Sequence, residues 1–462
     1  MGKPLVRILK IVLDNFKNVE KGEIIAGSSE NLLQGKSDVL GIYGQNGSGK
    51  TVAVDAIHLM QRLVVGEKLP RYAEEFIRQG ADCASVSILF FIQSGDIPLE
   101  FEYTYTLGRK DDICCVSAEK IAYYSYKEDV RQRRKTAFQC DILGDDNRFY
   151  PVRKYEKYIK QSEKNLVDFA VAKKMAAANR SSLLFSKEGY GIFSKDYLDD
   201  KVSLGLKALR YYMFMKLFVI TNREIGAINM QMLVPISFTQ QDMQHINTGK
   251  IPVALQGTSL IPVRIYQVLT RTIEPINQVL TVLVPGIRVE IEDHGRQLMD
   301  DGAEGRKIEL VSVRNDVRIP LRCESAGVIK IISMLNALVA MYNDKSVGLI
   351  VDELDSGVFE YLLGNLLEII EKNGKGQLLF TSHNLRILET VSKESVLFTT
   401  TNPRHRYIRL TNVKETNNVR DMYLRSLSIG GQKEPLCEIV DIYAIGHAFR
   451  KAGRELVNEY EN

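Results

Sequence analysis

The sequence predicts an α/β fold in which one nucleotide-type sheet is assembled from two distant stretches of chain, with a mainly helical lobe inserted between them. Three observations carry this. Residues 44–51 read Gly44-Gln45-Asn46-Gly47-Ser48-Gly49-Lys50-Thr51 and satisfy G-x-x-x-x-G-K-[ST] at every required position. After Glu324 the chain alternates helix, strand, helix, strand, the pattern of an α/β core. Between the two lies a stretch without proline from Pro151 to Pro235, rich in Lys, Ala, Tyr and Leu.

Taken in order, residues 4–28 alternate like strands, and SVSILFFIQ and LEFEYTYTL are two further strand candidates joined by a Gly-Asp turn. Val39 to Tyr43 reads as a short buried strand entering the glycine loop. Val52 to Leu63 has helical apolar spacing and leaves it. From about Arg153 to Arg223 the chain reads as helix, with breaks near Gly189-Tyr190-Gly191 and no sustained heptads. IRVEIED, KIELVSV and VRIPLRC return to β-structure over 286–320. This gives residues 1–110 as the first half of the nucleotide fold, 111–285 as the helical lobe, 286–410 as the second half and 411–462 as a helical tail.

The strand–loop–helix context is what the glycine motif requires. Its glycines let backbone N–H groups curl around an anion, and the helix N-terminus adds a positive dipole end. Lys50 then reaches the β- and γ-phosphates of a nucleotide and Thr51 ligates Mg²⁺, which makes ATP and Mg²⁺ the expected cofactors. The run Val347 to Glu353 is an apolar strand ending in two carboxylates. Set beside the loop strand, it delivers Asp352 to the Mg²⁺ shell and Glu353 to an attacking water as general base. The alternative is an Asp-Glu pair opening a solvated turn. His383 follows another apolar strand, Gln377–Phe380, and can meet a γ-phosphate or merely cap a surface turn. Ser325 and Gly327 open a strongly helical stretch, Val328 to Met341, either as an anion-binding helix start or as an ordinary N-cap.

Bulk properties narrow the class. With 45% hydrophobic and 26% charged residues the chain has average globular composition. No apolar run reaches the roughly 18 residues of a membrane helix, and MGKPLVRILKIVLDNF carries charges inside its apolar stretch, so a membrane partner is not expected and a cytoplasmic location is. Net charge of +4 does not argue for nucleic acid by itself. The six cysteines lack metal-ligand spacing and read as free thiols. Arg131-Gln132-Arg133-Arg134-Lys135 is the densest basic run. It could touch a nucleic-acid backbone, though such runs are more often solvated loops.

The opening LDNFKN, the loop GQNGSGKT, the runs IPLRCESAGVIKIISML, LIVDELDSG and FTSHN, and the late NNVRDMYLRSLSIGG together resemble the ATP-binding-cassette (ABC) ATPase heads of the SMC, RecF and overcoming-lysogenisation-defect group. Within that group the chain resembles small ATPases of bacterial abortive-infection and anti-phage systems such as PARIS or Septu. The resemblance covers about residues 5–110 and 305–430. The insert is similar only through AAANRSSLLF. It implies Lys50 and Thr51 as the Walker A pair, Asp352 and Glu353 as the Walker B pair, and His383 as the switch histidine. It implies Ser325 and Gly327 as a signature completing a second subunit's site, and Asp355 within Leu354-Asp355-Ser356 as the D-loop. The signature reads SAG where transporter heads read SGG. Gln93 and Gln231 are the candidates for a Q-loop glutamine. A fused Toprim nuclease is not expected after His405, so nuclease or toxin activity is assigned to a separate effector chain.

The resulting expectation is an ATP-hydrolysing regulatory subunit that forms a homodimer or higher oligomer, answers a phage-derived trigger protein and controls that effector. A RecF-like DNA-repair ATPase is the alternative.

Overall fold

The computed structural model describes residues 3–460 apart from 96, 129, 196–198, 242–245, 412–417 and 439–441. The described residues form four sheets, of which two build the nucleotide-type fold. The first is a seven-stranded antiparallel sheet. Its path runs Val19–Ile25, Leu5–Phe16, Ala84–Ser94, Ile97–Lys110, Ile113–Lys127, Val130–Arg131, with Lys135–Asp141 also pairing on Ile113–Lys127. The second has six strands in the order Tyr407–Ile408, Val396–Thr399, Asp38–Tyr43, Gln377–Ser382, Gly348–Val351, Leu217–Ile220. Apart from the antiparallel edge pair Val396–Thr399 and Tyr407–Ile408, all its neighbours are parallel.

The strands of the second sheet are short and buried along their length, as parallel strands covered on both faces must be. Asp38–Tyr43 and Gln377–Ser382 have no exposed residue. The helix Lys50–Val64 leaves the glycine loop and packs Val52, Val54, Ile57, Met60 and Leu63 into a core shared with the first sheet. The split α/β fold read from the sequence is therefore the fold observed.

Three details differ from the sequence reading. First, the strand carrying Asp352 is not beside the loop strand. Gln377–Ser382 lies between them, paired in register to both. Sequence order alone cannot rank parallel strands across a sheet, because each crossover is long enough to skip a neighbour. Second, strands continue through Asp141, and Leu217–Ile220 belongs to the second sheet rather than to a helix. The nucleotide sheet thus draws on three stretches of chain. A four-residue apolar run such as LFVI has no periodicity to separate strand from helix. Third, Gly189-Tyr190-Gly191 lies inside the helix Lys187–Phe193, and the break falls earlier, around Arg180–Ser186.

That break is held by a buried carboxylate. Glu119, on Ile113–Lys127, accepts hydrogen bonds from Ser182 Oγ, Tyr103 Oη and the amides of Leu183 (2.8 Å) and Leu184 (3.0 Å). Burial pushes its pKa up, and these donors oppose the rise. The helices Val152–Ile159, Lys164–Asn179, Lys187–Phe193 and Asp200–Met215 fold back on the first sheet around Phe138, Phe149, Phe169 and Phe193. Gly205 sits against the Phe101 ring, where a Cβ would lie 2.2 Å from ring carbon.

The helix Ala326–Asn343 is long and apolar enough to cross a membrane by composition, yet 61% of it is buried here as a core helix. Of the expected tail, the described part contains the helices Val419–Ile429 and Ile442–Tyr460. Asn417, the first residue of NNVRDMYLRSLSIGG, lies outside the described residues.

The two main sheets are pinned by polar side chains. Arg7, 1% exposed, donates to Asp38 Oδ2 (2.6 Å) and to the carbonyls of Lys36, Lys345 and Lys375. Gln377 donates to Ile8 O and Ala26 O and accepts from Ile8 N. Removing one partner of a buried ion pair costs about 3–5 kcal/mol, whereas exposed pairs contribute about 1 kcal/mol or less. Urea unfolding of Arg7→Met should therefore show a loss of about 3–5 kcal/mol. Lys10→Met, which removes the exposed pair with Glu23, should stay within about 1 kcal/mol of wild type.

Candidate functional site

The loop 44–49 closes on itself before the helix begins. Gly47 and Gly49 adopt φ of 76° and 99°, where side chains with a Cβ are strained, so both positions need glycine. Gly44 is required by space, since a Cβ there would lie 1.7 Å from Thr399 Oγ1. Lys50 is 6% exposed and its Nζ folds back over the loop, donating to Gly44 O (2.9 Å) and Gln45 O (3.0 Å). Burial lowers its pKa, and the nearby carboxylates Asp352, Glu353 and Asp355 oppose that.

The intervening strand brings the carboxylates to the loop. Thr381 Oγ1 donates to Asp352 Oδ1 (2.6 Å) and accepts from the Glu353 amide (2.7 Å). Thr51 Oγ1 donates to the same Asp352 oxygen at 3.2 Å. The other oxygen, Oδ2, is buried without a hydrogen-bond partner, and burial raises the pKa of the group. Unpaired buried carboxylate oxygens are costly and call for a counter-charge. The site therefore fits a hard cation held between Thr51 and Asp352.

Glu353 sits at φ 45°, a left-handed conformation that costs a non-glycine residue about 1–3 kcal/mol. It is held there by Thr381 and by Lys330, a buried lysine whose Nζ donates to the carbonyls of Glu353, Leu354 (3.2 Å) and Ser356 (3.2 Å). Burial pulls the Lys330 ammonium down to about 8. The twist points Glu353 into the cavity, where Asn222 Nδ2 donates to its Oε1 at 3.1 Å.

His383 stands on the same cavity wall, and its backbone amide donates to Asp355 Oδ2 at 3.0 Å. Burial and the nearby Lys50 lower its pKa, so its imidazole is neutral at pH 7.

The cavity beside the loop is about 1070 Å³. Asn46, Gly47, Gly49, Lys50, Thr51, Glu353 and His383 all face it. Its described lining carries five cations (Lys17, Lys50, Arg78, Arg109, Arg406) against two carboxylates, Glu75 and Glu353, a balance suited to a polyanion. Of the loop residues, Gln45 turns outward instead, its Oε1 accepting from the Glu438 amide at 3.0 Å.

Ser325 and Gly327 are not brought to this cavity. Ser325 is exposed, and its Oγ caps the helix Ala326–Asn343 through Val328 N at 3.3 Å. Gly327 packs on the Asp355 turn, where a Cβ would meet Gly357 O at 1.8 Å. Neither Gln93 nor Gln231 lines the cavity. Gln231 donates to Arg322 O, while Gln79 does line it. The basic run is partly neutralised: Arg131 pairs with Glu100 and stacks on Tyr124, and Arg134 pairs with Glu102.

Sequence reasoning missed Arg78, Arg109, Arg406 and Asn222, which no local motif marks, and Lys330, which stood inside the quoted run IPLRCESAGVIKIISML without an assigned contact. Thr381, Lys17 and Asn18 stood inside the quoted runs FTSHN and LDNFKN, but nothing in those runs assigned them a contact.

No protein-family model matches the chain, and neither does any curated protein. Among solved structures it is similar to an Smc head bound to the C-winged helix domain of ScpA, at 14% identity over 88% of this chain and 98% of that one (TM-score 0.42). It is also similar to an SMC head domain from Thermotoga maritima, at 15% identity over 87% and 99% (TM-score 0.36). A third is the recombination mediator RecF with ATP, at 13% identity over 82% and 94% (TM-score 0.32). All three scores fall below 0.5, so the chemistry of the site rests on its own geometry.

Lys330→Met removes a donor from the carbonyls of Glu353, Leu354 and Ser356, of which Glu353 O keeps the Ser356 amide. It should destabilise the fold by about 1–3 kcal/mol and speed amide exchange at Glu353 and Ser356 more than in the remote strand Ile97–Lys110. Uniform exchange across both would show that Lys330 does not hold this turn.

Proposed function

We propose that this chain is an ABC-type head that binds and hydrolyses ATP with Mg²⁺. The observation that carries the reading is the unpartnered Oδ2 of Asp352, whose other oxygen is held by Thr381 and reached by Thr51 at the end of a phosphate loop. ATP phosphates would lie along 44–51, with Lys50 turning from its two carbonyls to the phosphate oxygens. Thr51 and Asp352 would hold the metal, which supplies charge neutralisation to those oxygens. Glu353, oriented by Asn222, would take the proton of the attacking water on its carboxylate. Neutral His383 would offer a ring N–H to a γ-phosphate oxygen.

The site is incomplete within one chain. Ser325 is exposed at a helix start away from its own cavity, which supports its use, with Gly327 and Asp355, against the nucleotide of a second copy. ATP would then act as glue between two heads, and hydrolysis as the release.

The resemblance to anti-phage ATPases extends this to a regulatory subunit controlling a separate nuclease or toxin in response to a phage-derived trigger. The helices of the insert support a compact lid, because they fold back onto the first sheet instead of projecting. A RecF-like DNA-binding reading has less support, since two cations of its densest basic run are already paired.

Lys50→Ala should abolish ATP binding measured by equilibrium dialysis. Glu353→Gln should keep binding, lower hydrolysis about 10²–10⁴-fold and accumulate an ATP-dependent dimer on sedimentation. Hydrolysis at the wild-type rate in Glu353→Gln would remove the base assignment. Purified from cells carrying its gene neighbourhood, the same variant should retain the effector. Recovery of DNA alone would favour the repair reading.

A further inference from the structure

Three consecutive residues of the phosphate loop are each held from outside the loop. Asn18 Nδ2 donates to Gly47 O. Ser48 Oγ and Thr399 Oγ1 share a hydrogen bond at 2.5 Å. Tyr407 Oη donates to Gly49 O at 2.8 Å. A loop that aims its amides at an anion leaves carbonyls facing away, and those carbonyls need donors. Asn18 and Tyr407 are such donors.

The holders are themselves fixed. Thr399 is fully buried on the strand next to the loop strand, and its Oγ1 also donates to Tyr43 O at 3.1 Å. The Tyr407 ring lies against Gly22, where a Cβ would come within 2.8 Å of it. Burial raises the Tyr407 pKa, so its hydroxyl keeps its proton and stays a donor. Arg406, 7% exposed, joins the two sides: its guanidinium donates to Asn18 O (2.8 Å) and to Thr400 O (2.6 Å). Two backbone bonds from Glu20 and Lys21 to Pro403 O close the same junction.

We infer that Asn18, Thr399 and Tyr407 form a clamp that pre-organises the phosphate loop for its ligand, with Tyr407 as the principal positioning residue. The inference rests on the ATP-binding reading for its ligand, but not for its geometry. Gly47 and Gly49 are the backbone positions with most freedom to lose on binding. Holding them beforehand removes that ordering cost from the binding step. The holders come from residues 18 and 399–407, at opposite ends of the chain, so the loop is shaped only once both ends are in place.

The test uses the full chain with Tyr407→Phe and Thr399→Val, each of which deletes a hydroxyl and keeps the shape. Four quantities are read: the dissociation constant for MgATP, turnover at saturating ATP, the unfolding midpoint, and amide exchange over 46–50 without ligand. One lost hydrogen bond should weaken MgATP by about threefold to tenfold. Turnover at saturating ATP should stay unchanged, and ligand-free exchange over 47–49 should quicken. A role in folding alone would lower the unfolding midpoint while leaving the affinity and the loop exchange of folded protein at wild-type values, and that result overturns the clamp. Should wild-type protein fail to bind MgATP, the ATP reading falls, and the exchange measurement still decides the clamp.

Discussion

The register of one strand, Gln377–Ser382, governs this structure. It pairs in parallel with the loop strand on one side, Phe380 opposite Gly41, and with the Asp352 strand on the other, Phe380 opposite Val351. From that position Gln377 ties the second sheet to the first, Thr381 holds both Asp352 and the Glu353 amide, and His383 follows at the cavity wall. A slip of one residue would turn Thr381 to the opposite face and bring Phe380 or Ser382 in its place. Distances across the site are thus set by sheet hydrogen bonding rather than by loops.

Around this strand, polar groups that would destabilise a core in isolation are joined into connected sets. Arg7 serves one carboxylate and three carbonyls, Lys330 three carbonyls, and Glu119 four donors. Asp352 Oδ2 has no such partner, and neither has Asp355 Oδ1 three residues on. Buried carboxylate oxygens without a donor, on the residue whose other oxygen Thr51 reaches and beside it, mark a place for something the chain does not itself supply. The left-handed Glu353 is a second local departure, and it lies one residue away. Strain and an unmet charge coincide where the backbone leaves the sheet, as expected of a site built for a ligand.

The sequence made the loop, both carboxylates and the split of the sheet legible, because each depends on a local pattern: glycines where φ is positive, apolar runs where strands are buried on both faces. Strand order was not legible, since LLFTS and GLIV are equivalent as patterns and only packing ranks them. Leu217–Ile220 was absorbed into a helical reading for the same reason. Lys330 and Arg406 were invisible because their partners are backbone carbonyls far away in the chain, which leave no trace in residue type. Ser325 and Gly327 were readable as a helix start, and the structure adds that Gly327 is already needed for close approach to Gly357.

On the proposed function, Asp352 and Thr51 would hold a metal for a nucleotide bound at Lys50. Calorimetric titration of ATP with and without Mg²⁺, on wild type and Asp352→Asn, tests it most directly. Mg²⁺ should tighten ATP binding in wild type, and this gain should disappear in Asp352→Asn. Binding indifferent to Mg²⁺ in wild type, or an equal gain in both proteins, would contradict it.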